Sequence, residues 1–365
     1  MITMYNSWTQ DKVFSSEIAD LEFAVSFERA KVTVSTIKGL IVEKVYEEVL
    51  YPDKFGHIRL VDVERLIEPY SDRYTTFGLK ADIEEQKVAM SNNQETVTVK
   101  DTVTVQTVIL TCRARIMNMT AAKFCNDHFL TLLDGTRQTA SGWKEVLTFL
   151  GDLPAAPTCS ALYTDGTRTS FQLSVTESGD FRMLDVSPDN FLSTGRTLAG
   201  YTVNAGNRRQ EYEVIYDFPS DIAPVLLFVN SFGVEEIAYC TGEHKQASSF
   251  DRKQSRFDRT KVSYEIVEKE TFKADTGILS YPMANWWREV FRSKSVKLMR
   301  IVDGIISLDD FIPVVLSSEK AELSNAPDHL PRFTFEYEYA DRNHNIWDNR
   351  REGRIFDFTF DNTFN

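Results

Sequence analysis

The sequence lacks a surplus of positive charge, a long apolar run and clustered cysteines, and each absence excludes a class of protein. Its 365 residues carry a formal net charge of −13, whereas a nucleic-acid binder needs cations to displace phosphate counterions, so we expect no nucleic-acid partner. The longest apolar run, near IAPVLLFVNSF, is too short to span a bilayer, so we expect no membrane insertion. The four cysteines have no C-x-x-C spacing, which favours buried reduced thiols over a disulfide framework.

Signals for export and for the common catalytic or cofactor sites are also missing. The N-terminal residues include no basic region followed by an apolar one, so we expect no signal peptide and assembly in a cytoplasm. No Walker A, G-x-G-x-x-G or G-x-S-x-G motif occurs. The five histidines indicate no nucleophile and base pair, and acidic pairs such as Asp309–Asp310 are typical of solvated turns. We therefore expect no enzyme activity and no cofactor.

What the chain contains in abundance is the composition of β-strands. Phe occurs 25 times and Tyr 14 times, many of them in runs such as DLEFAVSFE that alternate with the period of a half-buried strand. Two amphipathic helices are predicted, near 120–133 after Thr120, and near 281–292 after Ser280 and Pro282. The sequence thus predicts a mainly β (α+β) protein with several antiparallel sandwich-like or barrel-like domains.

Two linker-like segments divide this pattern into three predicted domains. GDLPAAP at 151–157 and DFPSDIAP at 217–224 combine Pro with Asp between strand-rich regions. One amphipathic helix is expected in each outer domain, and the polar residues 71–94 are predicted to form a long loop in the first. The predicted domains are a β-rich N-terminal domain at 1–150, a small all-β domain at 158–216 and a β-rich C-terminal domain at 222–365.

One stretch is unusual for so acidic a chain. HKQASSFDRKQSRFDRTK, residues 244–261, contains six Lys or Arg against two Asp and repeats Phe-Asp-Arg. It is either a flexible loop between strands or a basic arm that docks on the acidic surface of a neighbouring copy. Phe and Arg are favoured anchors at interfaces. The predicted interface residues are Lys245, Phe250, Arg252, Lys253, Arg256, Phe257 and Arg259.

A second stretch resembles a calcium loop. DRNHNIWDNRRE, residues 341–352, has oxygen-bearing side chains at the ligand positions of an EF-hand. However, Ile346 stands where that loop needs Gly, and residues 341–354 contain three acids and four arginines, so a strand-connecting loop is favoured. The weak calcium candidates are Asp341, Asn343, Asn345 and Glu352.

Several stretches together indicate a family. The chain resembles structural proteins encoded in the tail-gene regions of Bacteroides-type phages and prophages, through FVNSFGVEEIAYCTG, VSYEIVEKETFKADTGILSYPMANWWREVFRS, IPVVL, FTFEYEYADRNHN and VYEEVLYPDKFGHIRLVDVERLIEPY. The resemblance covers the outer thirds of the chain well and the middle third loosely. It implies a virion tail protein that is made in the host bacterial cytoplasm. Its implied partners are other copies of itself and other phage tail proteins.

Three functions follow from these observations. The first is a non-enzymatic structural tail component that assembles into a ring or tip complex through strand edges and the basic arm. The second is a host-surface glycan or receptor-binding tail protein, in which aromatic residues such as Trp143 or Trp347 stack on polysaccharide. The third is a hydrolase of the cell envelope, which no constellation of residues supports.

Overall fold

The computed structural model confirms the mainly β fold class, with 55% of residues in strands and 11% in helices. The residues form two compact units: unit 1 comprises Met1–His128 and Ser231–Val234, and unit 2 comprises Phe129–Asn230 and the residues from Glu235 onward. No helix in the described part of the chain is long and apolar enough to cross a membrane. The residues that the structure describes are 1–91, 94–116, 118–217, 224–257, 259–302, 305–323 and 330–340.

In unit 1, the part of the chain that the structure describes forms two sheets and two α-helices. The three-stranded sheet has the order β1-β3-β6 and the five-stranded sheet has the order β2-β8-β7-β4-β5, with only β2 and β8 parallel among these pairs of the described residues. Side chains from both sheets and from the first helix form one buried core. The elements are β1 (Thr3–Asn6), β2 (Lys12–Phe14), β3 (Leu21–Ala24), β4 (Arg29–Lys38), β5 (Ile41–Leu50), β6 (His57–Leu60), α1 (Val63–Ser71), β7 (Thr76–Ser91), β8 (Gln94–Leu110) and α2 (Ala121–Asp127).

Strand β7 replaces the long loop predicted for residues 71–94. Its first half alternates between buried and partly exposed positions, as a strand with one face on a core does. The buried positions are apolar although the segment as a whole is polar, so average composition concealed a period-two pattern. The alternating buried residues are Phe77, Leu79, Ala81 and Ile83.

The helix predicted near 120–133 is shorter than expected. Thr120 caps α2 as predicted, because its hydroxyl accepts a hydrogen bond from the Lys123 backbone N–H at 3.3 Å. The helix ends at Asp127, and His128 has an extended backbone with φ −130° and ψ 152°. The Leu130 backbone N–H then donates to the Thr148 carbonyl at 2.8 Å. Backbone pairing with another strand therefore replaces the last predicted turns of the helix.

The described residues of unit 2 form three sheets and one α-helix. A five-stranded sheet, β12-β11-β15-β16-β9, and a three-stranded sheet, β10-β14-β13, contribute to one sandwich-like core. A seven-stranded sheet has the order β18-β17-β21-β22-β23-β20-β19. The elements are β9 (Thr136–Thr139), β10 (Val146–Phe149), β11 (Thr158–Tyr163), β12 (Arg168–Gln172), β13 (Val175–Ser178), β14 (Phe181–Asp185), β15 (Leu198–Ala205), β16 (Arg208–Val214), β17 (Val225–Val229), β18 (Glu235–Tyr239), β19 (His244–Phe257), β20 (Thr260–Asp275), α3 (Tyr281–Arg292), β21 (Val296–Val302), β22 (Ile305–Lys320) and β23 (Thr334–Tyr339).

This grouping differs from the three predicted domains. Strand β9, expected in the domain at 1–150, pairs in parallel with β16 from the predicted middle domain, and β10 pairs with β14. Residues 129–150 and 158–216 therefore both belong to unit 2. The predicted domain boundaries depend on local linker composition, which carries no information about pairing between distant strands.

Helix α3 begins and ends where the sequence predicted. The Ser280 hydroxyl accepts a hydrogen bond from the Met283 backbone N–H at 3.4 Å, and Pro282 lies in the first turn, where its missing N–H leaves no bond unmade. The apolar face of α3 buries Trp286 and Trp287 in the core that covers the seven-stranded sheet. This packing holds the sheet from which β19 and β20 extend.

Candidate assembly interface

The seven-stranded sheet extends on one side into a two-stranded hairpin. Strand β20 pairs with β23 only from Phe272 to Asp275, whereas it pairs with β19 as far as the turn, where Phe257 opposes Thr260. Residues 248–257 and 259–270 therefore continue beyond the backbone pairing with β23 as a two-stranded ribbon, which we call the long arm. At its base the Lys269 ammonium lies 3.1 Å from the Glu338 carboxylate of β23. Ten strand residues at about 3.3 Å each give the long arm a reach of about 30 Å.

The predicted interface residues come together on this hairpin. Lys245 lies in β19 next to the sheet, where its ammonium is 3.0 Å from the Glu243 carboxylate, and Arg259 lies in the turn. The other five belong to β19 within the long arm. A strand thus replaces the flexible loop that was one of the two interpretations of residues 244–261. Its pairing partner is β20, whose alternating apolar residues supply the other half of the ribbon.

Cross-strand pairing divides the long arm into two faces. Phe250 opposes Glu268, and Arg252 opposes Ile266; because directly opposed side chains point to the same side of a ribbon, these four residues share what we call the front face. The Arg252 guanidinium carbon lies 5.9 Å from the centre of the Phe250 ring. Phe250 and Ile266 are each 52% exposed, so the front face presents apolar surface to solvent.

The opposite side, which we call the back face, is more polar. It carries Ser249 opposite Lys269, Asp251 opposite Val267, and Lys253 opposite Glu265. The Lys253 ammonium lies 2.9 Å from the Glu265 carboxylate. An ion pair between such exposed groups contributes little stability, but it neutralises part of the charge of β19 within the same hairpin.

Five of the six basic residues of the long arm, including the Lys253 that is paired with Glu265, lie toward its tip. Residues 252–264 contain five Lys or Arg and one Asp. The acidic residues of β20, Glu265, Glu268 and Glu270, follow this segment toward the sheet. Residue Tyr264 lies at the register shift between Lys253 and Gln254 and is highly exposed. The long arm therefore combines a basic tip with exposed aromatic and aliphatic side chains.

Unit 1 has a shorter hairpin, which we call the short arm. The last pairing between β4 and β7 joins Arg29 to Gln86, so residues 87–91 and 94–98 project beyond that edge. The sequence 87–98 contains one Lys and one Glu. Its base is braced, because the Val88 backbone N–H donates to the Glu28 carboxylate at 3.2 Å and Arg29 lies 2.6 Å from Glu95.

Unit 2 also contains a buried cluster of charged groups, which we call the Arg137 cluster. The Arg137 guanidinium lies 2.9 Å from the Glu145 carboxylate and 3.9 Å from the Glu236 carboxylate, and donates to the Ile237 carbonyl at 2.6 Å. It lies over the Trp286 ring at 4.7 Å, and the indole N–H donates to Glu236 at 2.9 Å. Burial raises the pKa of Glu145 to about 7, although Arg137 opposes the shift.

The Arg137 cluster has little room for a ligand. A cavity of about 20 Å³ lies beside it, lined in part by Arg137, Tyr239 and Trp286; this is enough for about one water molecule. Trp143 lines the same cavity, is buried, and stacks on Tyr239 with ring centres 4.1 Å apart. It is therefore packed in the core and cannot stack on polysaccharide as the second predicted function required.

The remaining predicted site residues lie outside the described part of the chain. These are the calcium candidates Asp341, Asn343, Asn345 and Glu352, together with Trp347. Among the described residues, no group of three or more His, Cys, Asp and Glu side chains is arranged to hold a metal ion.

Sequence reasoning missed both the apolar half of the long arm and the Arg137 cluster. Tyr264 and Ile266 alternate with polar residues as strand residues do, but alternation alone does not show that both side chains are exposed. Nothing in the sequence near Arg137 indicates that Glu145 and Glu236 approach it.

These features define the class of the protein as a mainly β, multi-sheet protein with a projecting hairpin. A scan against protein-family models and a search of curated proteins found no significant match. A search of solved structures matched the crystal structure of the I9-I11 tandem from titin, which is 10% identical, with 93% of this chain and 90% of that chain covered. The TM-score of that match is 0.15, and a likeness at that level carries no argument about this chain.

Proposed function

We propose that the protein is a non-enzymatic structural component of a bacteriophage or prophage tail, which assembles through protein–protein contacts into a ring or tip complex. The observation that carries this proposal is the long arm, which extends about ten residues beyond its sheet with apolar side chains exposed. An isolated two-stranded ribbon is marginally stable in water. A long exposed one, with Phe, Tyr and Arg on its surface, has the composition of an interface.

Two further features support an assembly role. The outer edge of β19 has no strand partner among the described residues, and such an edge is a template for pairing with another chain. The family resemblance points to tail-gene regions, where proteins of this kind work in complexes.

The first experiment compares the native mass of the purified chain with the content of assembled tails. We expect light scattering and negative-stain images to show closed particles of uniform size. We also expect mass spectrometry to find the chain in tail particles purified from a lysogen that carries its gene. Absence of the chain from purified tails, whatever its native mass, would contradict the proposal.

A second candidate function, binding of host-surface polysaccharide, is favoured by an exposed aromatic patch in unit 1. The Tyr5 ring lies 4.9 Å from the His57 ring, and Tyr51 and Phe55 nearby in sequence are highly exposed. The Asp53 carboxylate accepts hydrogen bonds from the Phe55 and His57 backbone N–H groups and holds this turn. Exposed aromatic groups of this kind mark binding surfaces.

The polysaccharide candidate predicts saturable binding to isolated host capsule that Tyr5→Ala with Phe55→Ala abolishes. Tyr264→Ala, which removes an exposed tyrosine from the long arm, is the matched control and leaves such binding unchanged. If no binding to capsule is measurable, or if both variants lose it equally, the aromatic patch is not a glycan site.

A further inference from the structure

We propose that the long arm makes a head-to-tail contact with a second copy of this chain, docking its basic tip and front face on an acidic surface that lies outside the neighbour's own arm. This inference rests on the proposed assembly function and deepens it, because it names the contact surface and the partner. Its three supports are the charge at the tip, the apolar front face and the repulsion between two identical tips.

The charge of the chain favours a second copy as the partner. The tip segment, residues 252–264, carries five basic residues and one acidic residue, while the whole chain has a net charge of −13. The remainder of the chain is therefore more acidic than the whole. A basic projection and an acidic body on the same molecule attract each other between copies, which steers association and fixes its orientation.

The front face adds apolar and aromatic contacts to the attraction between charges. Phe250 and Ile266 are half-exposed on one side of the ribbon, with the Arg252 guanidinium over the Phe250 ring. Aromatic and arginine side chains of this kind dominate binding energy when a partner covers them. On the back face, Lys253 is instead paired with Glu265, so the positive charge of Lys253 is already compensated within the hairpin.

Pairing of two arms with each other is disfavoured by their charge. A symmetric contact between two tips would bring residues 252–264, with five basic residues and one acidic residue, against the same basic segment of the other copy, and like charges brought together in this way are destabilising. A contact between the arm and a different surface is heterologous. Such contacts generate rings when the rotation closes and filaments when it does not.

A chain with a shortened arm tests the head-to-tail geometry. Ser248 opposes Glu270, so residues 249–269 can be replaced by Asn-Gly, which favours a tight hairpin turn. This chain can receive an arm but cannot donate one. We expect it to be monomeric alone in sedimentation velocity. Mixed with the full chain, it should cap the growing assembly and shift its mass to smaller particles.

The two faces of the arm provide matched variants. Phe250→Ala with Ile266→Ala on the front face should weaken self-association by about tenfold or more. Val267→Ala on the back face, where the side chain is half-exposed like those of Phe250 and Ile266, should change it by less than about threefold. Charge reversal at the tip, by Arg252→Glu, Arg256→Glu and Lys261→Glu together, should weaken it by about 100-fold or more. Raising salt from ~0.1 M to ~1 M, which shortens the Debye length from about 10 to about 3 Å, should weaken it too.

Three results would overturn the inference. One is a full-length chain that stays monomeric at ~0.1 M salt; another is a short-armed chain that assembles normally or that fails to cap the full chain. The third is assembly that disappears on nuclease treatment, which would assign the basic tip to nucleic acid. None of these contradicts the tail role itself, because that role is tested separately by finding the chain in purified tails.

Discussion

The long arm and the Arg137 cluster both place an arginine beside an aromatic ring, but in opposite environments. Arg137 is buried with Glu145, Glu236 and the ring of Trp286. Arg252 is exposed over the ring of Phe250, which is itself half-exposed. The contact between arginine and an aromatic ring is therefore buried and stabilises the fold in the Arg137 cluster. In the long arm the same contact is exposed to solvent and available to a partner.

The two regions should differ in how much folding stability the chain loses when the arginine is replaced. A buried carboxylate that loses its cation keeps the full cost of desolvation, so the fold depends on the pair being complete. An exposed arginine loses almost no solvation on folding, and its neighbours are equally well solvated without it. Stability measurements should therefore separate the two regions, and the first prediction has the largest expected effect.

We expect Arg137→Met to lower the free energy of unfolding by about 3–5 kcal/mol at pH 8. Methionine fills much of the volume but leaves Glu145 and Glu236 without the cation, and it removes the contact with the Trp286 ring. Urea unfolding at pH 8 and pH 5 measures the effect. The loss should be smaller at pH 5, because protonation of a carboxylate relieves the uncompensated negative charge.

The comparison would break if Arg137→Met were as stable as the native chain at both pH values. That result would mean that the surrounding side chains repack around neutral carboxyl groups, as happens when whole buried ion pairs are replaced by apolar residues. Arg209→Met is a suitable control, since Arg209 pairs with Glu211 at the surface and should change stability by less than about 0.5 kcal/mol.

The second prediction concerns Glu145, whose pKa burial raises from 4.5 to about 7. The folded chain then binds this proton more tightly than the unfolded chain. The favourable contribution is complete below about pH 4.5 and is lost as the pH rises through about 7. Compared with Glu145→Gln, the native chain should lose about 2–3 kcal/mol of stability between pH 5 and pH 8, most of it below about pH 7.

Parallel unfolding curves for the native chain and Glu145→Gln, at four pH values from 5 to 8, check this prediction. A stability difference that stays constant over that range would show that Glu145 keeps an ordinary pKa beside Arg137. A difference that changes in the opposite direction would show that the ion pair outweighs burial and holds the pKa of Glu145 low.

The features that were predictable from sequence are those that local signals determine. Ser280 and Pro282 lie at the start of α3, and Thr120 caps α2. Each of these signals lies within a few residues of the helix start that it predicts. The end of α2 was not predictable, because backbone pairing of Leu130 with Thr148 interrupts an apolar periodicity that would continue a helix. Local propensity is overridden wherever a distant strand offers a better partner for the backbone.

The candidate site shows the same division. The unusual charge of residues 244–261 was visible in the sequence, and it located the long arm. That this stretch is a strand was not visible, because its polar residues resemble a loop until β20 is placed beside it. The Arg137 cluster was invisible for a related reason: its three charged residues come from different strands or the residues beside them, and only the fold brings them together.

The third prediction has the smallest expected effect on stability. It tests most directly whether the side chains of the long arm, unlike those of the Arg137 cluster, are dispensable for folding. Arg252→Met and Phe250→Ala should each change the free energy of unfolding by less than about 0.5 kcal/mol, because both side chains are exposed in the isolated chain. Their effect should appear only in self-association, measured by sedimentation velocity on the same samples. If either substitution destabilises the chain by more than about 1 kcal/mol, that side chain is packed within its own molecule. The long arm would then be part of the fold in the way that the Arg137 cluster is, and the distinction between the two regions would fail.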